Sequence, residues 1–242
     1  MKNLYAIEQK RPSIPKKPVS LVEITNPVSE DLISVERHIV EQLSSDVKII
    51  QKMGAYLVSA GGKKLRPITL LLATKALNYR GTDHITLAAV IELIHTATLI
   101  HDDVVDKSQL RRGKETINEV WGNAVSVLVG DFIYSRSFEM MVTVNRLRVM
   151  EVMASTTNAI AEGEVMQLNY TNSSEIDEQA YLATVERKTA RLFQAATRLA
   201  AILAAADAAS EAALMAYGFN IGLAFQISDD LLDYSQKPTI IG

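Results

Sequence analysis

Residues 91–106 read IELIHTATLIHDDVVD, and the placing of their polar positions decides the fold. Leu93, Ile94, Leu99 and Ile100 make the stretch apolar, and no glycine or proline interrupts it. On a helix of about 100° per residue, Asp102, Asp103 and Asp106 at i, i+1 and i+4 fall within an arc of about 100°. One face therefore gathers carboxylates, and His95, seven residues before Asp102, continues the same stripe. Like charges this close repel, so the arrangement costs stability unless cations occupy it.

The same spelling returns 127 positions later in GLAFQISDDLLDY, residues 222–234, where Asp229, Asp230 and Asp233 repeat D-D-x-x-D. Gln226 precedes them by three, four and seven residues, on the same polar stripe of an apolar helix. Burying six carboxylates without partners would cost several kcal/mol per ion. A shared cavity holding hard metal ions and an anionic substrate accounts for them. The D-x-[DN]-x-[DN]-G pattern of a calcium loop is missing, and magnesium suits the site better. Mg²⁺ keeps several waters and is held by one or two carboxylates plus substrate phosphates, which points to a phosphorylated substrate.

Outward from these helices, proline placement organises the chain. Four of six prolines precede residue 28, Pro67 follows, and none recurs before Pro238. The run between, rich in Ala, Leu, Ile and Met, reads as successive long helices, and the fold class is all-α. A helix starts at Ser29-Glu30-Asp31 and carries Leu32, Val35, Ile39 and Leu43. Gly61-Gly62 interrupts before a helix beginning near Pro67. Tyr79 to Asp83 forms a turn, and a long helix runs from about Thr86 to Lys107. Lys107 to Thr116 is a polar, basic connector. Helices are predicted over 117–141, 146–169, 178–206 and 210–234, broken at Thr171–Asp177 and near Asp207. Val125–Val129 is read as buried helix. Twelve alanines among residues 195–216 point to close helix packing.

Composition narrows the function classes. Apolar residues make up 48%, enough for a large core, and the balance of 25 Lys+Arg against 28 Asp+Glu gives a net charge of −3 and no global case for nucleic acid. The absence of cysteine excludes disulfides, zinc–thiolate sites, iron–sulfur clusters and a cysteine nucleophile. The longest apolar runs, such as Leu199–Ala206, fall short of the roughly 18 residues of a membrane span. The N-terminus is basic (Lys2, Lys10, Arg11, Lys16, Lys17) and stiffened by Pro12, Pro15 and Pro18, with no apolar stretch of a secretory signal. Residues 1–28 are expected to be an extended lead-in, residues 29–242 a single helical domain, and the compartment cytoplasmic.

Basic side chains stand at informative places. Gly61-Gly62-Lys63-Lys64-Leu65-Arg66-Pro67 joins a glycine turn to a basic helix start, offering N–H groups, an ammonium and a guanidinium to an anion. Arg111-Arg112-Gly113 follows Asp106 closely enough to fold back over the first triplet. Glu186-Arg187-Lys188-Thr189 supplies a lysine and a hydroxyl.

Together GGKKLRP (61–67), IELIHTATLIHDDVVD (91–106), RRG (111–113), GD (130–131), GEVMQL (163–168), ERKTARLF (186–193) and GLAFQISDDLLDY (222–234) make the chain resemble a trans-type polyprenyl (isoprenyl) diphosphate synthase. The resemblance spans residues 30–234 and is strongest to octaprenyl-type enzymes that make quinone side chains. It implies a large single-domain helical bundle around a central cavity, the isoprenoid synthase fold, acting as a homodimer with Mg²⁺. It implies that Lys63, Arg66, His95 and Arg112 bind isopentenyl diphosphate. Asp102 and Asp106 would hold metal on one side of the allylic diphosphate, supported by Asp103. Asp229, with Asp230 and Asp233, would hold it on the other. Arg111, Lys188, Thr189 and Gln226 would contact the allylic diphosphate, farnesyl diphosphate being the expected primer, and Gln167 faces the site. The product chain would run along the Asp102 helix past Ala97, Thr98, Ile94 and Ile91, whose small or aliphatic side chains imply a long product handed off at a membrane without a transmembrane segment.

After Tyr234 the family continues through an acidic loop and further helices, whereas Ser235-Gln236-Lys237-Pro238-Thr239 follows here, so the domain is expected to be shortened at its C-terminus. Three other readings stand beside this one. A class I terpene cyclase shares the first motif but carries N-x-x-[ST]-x-x-x-E in place of the second. A silent subunit of a heteromeric synthase commonly loses aspartates that are all present here. A helical scaffold would leave two acidic triplets unexplained.

Overall fold

The computed structural model describes residues 19–170 and 177–235. Among them the chain is helical apart from one hairpin. In chain order the helices are α1 (Leu21–Thr25), α2 (Ser29–Gln42), α3 (Lys48–Ala60), α4 (Leu65–Ala76), α5 (Asp83–Val105), α6 (Ile117–Trp121), α7 (Asn123–Thr143), α8 (Leu147–Tyr170), α9 (Glu178–Val185), α10 (Arg191–Leu203) and α11 (Ala208–Ser235). A 3₁₀ turn over Asn26–Val28 links α1 to α2, and a π segment over Glu186–Ala190 links α9 to α10.

The first acidic helix, α5, is the axis of the bundle. It packs against α2, α4, α7 and α10, and Leu87 to Ile91, Leu93, Ile94 and Ala97 are all but fully buried. By length and apolarity α5 could cross a membrane, although no continuous apolar run marks it, but here its neighbours bury it as a core helix. The second acidic helix, α11, lies along α10 and the π segment. Its close approach needs glycine: a Cβ on Gly222 would stand 2.5 Å from Ala190 Cα, and one on Gly218 would stand 2.5 Å from Phe193 O. Ala195, Ala196, Ala200 and Ala201 fill the core side of α10, the close packing expected of the alanine-rich stretch.

Several expectations are corrected. Residues 21–28 are helical rather than extended, because Ser20 and Glu23 form a capping box: Glu23 N–H donates to Ser20 Oγ at 3.2 Å and Ser20 N–H to Glu23 Oε2 at 2.8 Å. The helix expected over 117–141 is split at Gly122, whose φ of +84° ends α6. Val127 and Leu128 are exposed, so Val125–Val129 is helix but not a buried one. The helix expected over 178–206 contains the π segment. The basic connector folds into a two-stranded antiparallel hairpin, β1 (Leu110–Arg111) and β2 (Lys114–Glu115), turning on Arg112 and Gly113 at φ +54° and +74°. The basic lead-in over 1–18, most of the break at Thr171–Asp177 and the C-terminal stretch 236–242 lie outside the described residues.

Candidate active site

Among the described residues, clefts flank α5 on two sides and a third lies beside the π segment. One, of about 390 Å³, lies between α2, α3, α5 and the hairpin and is lined by Lys64, Glu92, His95, Asp103, Arg111 and Arg112. A second, of about 340 Å³, opens between α5, α7 and α8 and includes Thr98, Asp102, Asp106 and Glu164. The third, also about 340 Å³, lies between α8, α9, the π segment and α11 and includes Tyr181, Lys188, Thr189, Gln226 and Asp230. Gln167 lines both of the latter, so Lys188 stands where they meet.

Both residues lie on the π segment, from which Lys188 reaches α5 and α8 while Thr189 reaches α11. The Lys188 ammonium lies 3.0 Å from Asp102 Oδ2 and 2.8 Å from Glu164 Oε2, and it donates to Gln167 Oε1 at 3.0 Å. Burial works against its charge, but Asp102 and Glu164 outweigh burial and hold its pKa above the ordinary value. Burial, reinforced by the Asp102 charge, pushes Glu164 up to about 7, and its Oε1 is buried without a hydrogen-bond partner. Asp106 is also raised, first by burial and then by Asp102, against the pull of Lys188.

Asp103 is 5% exposed and is gripped by Arg111, with Nε at 2.9 and 3.1 Å from the two carboxylate oxygens and Nη2 at 2.7 Å from Oδ1. That bidentate pair explains why Asp103 supports its neighbours rather than offering its own oxygens. On α11 the partners are neutral. Thr189 Oγ1 donates to Gln226 Oε1 at 2.8 Å, Gln226 Nε2 donates to Asp230 Oδ1 at 2.9 Å, and the Tyr181 hydroxyl donates to Asp230 Oδ2 at 2.5 Å. Burial and then Asp230 push the Tyr181 phenol up to about 12, so it stays a donor at neutral pH. Asp229 and Asp233 are exposed.

The basic residues divide. Arg66 is buried under Phe193 and Phe225, its guanidinium carbon 4.7 and 5.9 Å from the ring centroids. Burial lowers it to about 10, with Glu92 and Asp229 opposing, so it remains charged, and its Nε has no hydrogen-bond partner. His95 is held well below its ordinary pKa by burial and by Arg66, Arg112 and Arg111. It is therefore a neutral imidazole. Arg112 donates to the Gly61 carbonyl, drawing the glycine turn onto the hairpin. Lys63 does not join this group: its side chain is exposed, while Lys64 lines the cleft and pairs with Glu36.

The expected chain-length wall is also only partly assembled. Thr98 lines the second cleft, whereas Ala97 and Ile94 are fully buried behind it and line none of the three. Sequence reasoning missed Glu92, Glu164, Lys64 and Tyr181. Glu92 and Glu164 stand three residues before His95 and Gln167, a helical spacing that could have found them.

Among the described residues no group of three or more His, Asp or Glu side chains forms a ready cation cage. The donor set still fits a hard divalent ion bound jointly with phosphate: its acidic groups are all carboxylates, Asp102 and Asp106 crowd each other, and Glu164 Oε1 is an orphaned buried oxygen beside them.

A family model described as polyprenyl synthetase matches residues 47–242. Over 224 residues the chain is 51% identical to octaprenyl diphosphate synthase of Escherichia coli (strain K12), covering 93% of this chain and 69% of that protein. It is 42% identical over 221 residues to an all-trans-nonaprenyl-diphosphate synthase of Rhodobacter capsulatus, covering 91% and 68%. A polyprenyl synthase from Caulobacter crescentus CB15 complexed with calcium and isoprenyl diphosphate superposes with a TM-score of 0.89 at 43% identity, over 94% of this chain and 70% of that one.

Proposed function

The chain belongs to the polyprenyl synthetase family of prenyltransferases, and from that premise we propose that it is a Mg²⁺-dependent enzyme condensing isopentenyl diphosphate with an allylic diphosphate, farnesyl diphosphate, to make a long-chain all-trans product. Octaprenyl diphosphate is the product that its octaprenyl diphosphate synthase relatives support, and we assign it to quinone side chains. The observation that carries the reading is Lys188. A single ammonium touches Asp102 of α5 and Glu164 and Gln167 of α8, while the next residue, Thr189, leads through Gln226 to Asp230 of α11. Both acidic triplets are thereby tied to one short segment.

Isopentenyl diphosphate is assigned to the 390 Å³ cleft, where Arg112 and the Gly61-Gly62 turn meet its phosphates. Arg66 adds charge from beneath, and neutral His95 offers a hydrogen bond. Lys63 reaches this site only if its side chain swings in from solvent. The allylic diphosphate is assigned to the clefts that meet at Lys188, with Asp102 and Asp106 on one side and Asp229 on the other. Mg²⁺ bound there would neutralise charge on the departing diphosphate. Asp102, paired with Lys188 here, would be a ligand of that ion, and the Lys188 ammonium would then be available to the diphosphate oxygens. Arg111, braced by Asp103, contributes a second cation.

Breaking the allylic C–O bond leaves a carbocation, and these preorganised charges stabilise the leaving diphosphate as its charge grows. The isopentenyl double bond attacks the cationic carbon, and the proton lost from the adduct passes to the diphosphate. Thr98, Tyr134 and Ile160 line the wall of the Asp102 cleft and keep water from the cation. We assign the enzyme to the cytoplasm as a homodimer that passes its product to a membrane. Incubation with Mg²⁺, farnesyl diphosphate and labelled isopentenyl diphosphate tests the reading. Elongated prenyl diphosphates support it, hydrocarbon release supports a cyclase, and no product supports a silent subunit or scaffold.

A further inference from the structure

Tyr181 belongs to none of the motifs and takes no part in the mechanism above, yet it reaches the second acidic triplet from a different element. Its hydroxyl donates to Asp230 Oδ2 at 2.5 Å from α9, while Gln226 donates to Oδ1 at 2.9 Å from within α11. Both Asp230 oxygens are thus engaged by protein donors. The set is directed: Thr189 gives its proton to Gln226, and Gln226 and Tyr181 give theirs to Asp230. Fixing Asp230 therefore fixes which way the Gln226 amide points, and with it the Thr189 hydroxyl.

The chemistry of the donor matters as much as its place. Arg111 holds Asp103 with a full positive charge and cancels that carboxylate. A phenol holds Asp230 without cancelling it, so the triplet on α11 keeps its negative charge for a cation. We infer that Tyr181 is a positioning residue that, by bracing Asp230 with a neutral donor, sets the geometry and the divalent-cation affinity of the second acidic triplet. For turnover the inference rests on the prenyl-transfer reading; for binding it stands alone.

A double-mutant cycle tests it on the full chain with Tyr181→Phe, Asp230→Asn and the pair, each checked by thermal melting. Calorimetry reads the Mg²⁺ concentration needed for binding of inorganic diphosphate, and the elongation assay runs beside it. Tyr181→Phe should raise the half-saturating Mg²⁺ about tenfold, the scale of one lost hydrogen bond to a charged group. The KM for isopentenyl diphosphate should stay unchanged. If Tyr181 acts through Asp230, the pair should be no worse than Asp230→Asn alone. Wild-type Mg²⁺ dependence in Tyr181→Phe, additive losses in the cycle, or no Mg²⁺-dependent diphosphate binding by the wild type would each overturn it. A wild type that binds diphosphate but elongates nothing removes the prenyl-transfer reading and leaves the calorimetric cycle to decide Tyr181.

Discussion

On α5 the carboxylates of Asp102 and Asp103 are buried and each meets a protein cation, whereas on α11 Asp229 and Asp233 stand exposed and Asp230 meets only neutral donors. The spelling D-D-x-x-D is the same in both. The surroundings differ because α5 is enclosed by α2, α4, α7 and α10, while α11 packs along one side and leaves Tyr217, Leu231 and Leu232 in solvent. A buried anion needs a counter-charge whether or not ligand is bound, and an exposed one can rely on water. On the proposed reading, a metal at the first triplet would have to displace protein cations, and one at the second would not.

The largest expected effect follows from that exchange. Lys188→Ala leaves Asp102 and Glu164 facing each other and removes a cation from the leaving diphosphate. The kcat/KM for elongation should fall by about a thousandfold, the scale of losing one preorganised electrostatic contact. Asp233→Asn, exposed on the other triplet, should cost about tenfold or less. Steady-state kinetics with product sizing compares them, and equal losses would erase the asymmetry between the sites.

Stability should separate the regions next. Arg111→Met strands the Asp103 carboxylate in the interior, and breaking a buried pair is strongly destabilising. Arg111 is itself 38% exposed, which keeps the loss to roughly 2–3 kcal/mol. For a chain of this size that is a drop in Tm of roughly 5–10 °C. Adding Asp103→Leu should recover most of it. Asp230→Asn keeps an acceptor for Tyr181 and should cost less than about 1 kcal/mol. Differential scanning calorimetry reads all three.

The asymmetry marks how far the sequence could be read. The helices and both triplets were legible because proline placement and the i, i+1, i+4 spacing are local. Which triplet would be enclosed was not, since enclosure depends on the order in which helices pack. The π segment was invisible for the same reason: 178–206 runs on without a breaker, and the change in backbone pairing over Glu186–Ala190 leaves no mark in the pattern of residue types. Arg112-Gly113 carries a turn signal in its glycine, and the hairpin forms on it. Tyr181 is a single polar residue on α9 that becomes distinctive only beside Asp230, far away in sequence, whereas Glu92 and Glu164 share a helical spacing with His95 and Gln167 that was there to be read. Ile94 shares the stripe of Thr98 and Ala97 is its neighbour, yet both are buried in the bundle while Thr98 lines the cleft.

The smallest expected effect is a slope with pH, and it belongs to the first region. Folded Glu164 keeps its proton up to about pH 7, against an ordinary value of 4.5. Between those values the folded state binds more protons than the unfolded chain, so this carboxyl makes stability fall as pH rises through the window and adds nothing further above it. Glu164→Gln removes the contribution. Its stability relative to wild type should therefore climb by roughly 1–2 kcal/mol from pH 4.5 to 7 and then level, read from denaturant midpoints at each pH. His95 acts in the opposite sense, since its depressed pKa withdraws stability on acidification below 6.5, and the difference between the two proteins cancels it. Tyr181, beside α11, titrates far above the window, so Tyr181→Phe should leave the wild-type slope intact. A flat difference for Glu164→Gln would mean that Lys188 rests between two full carboxylates, and that the first triplet holds more negative charge in waiting than the second.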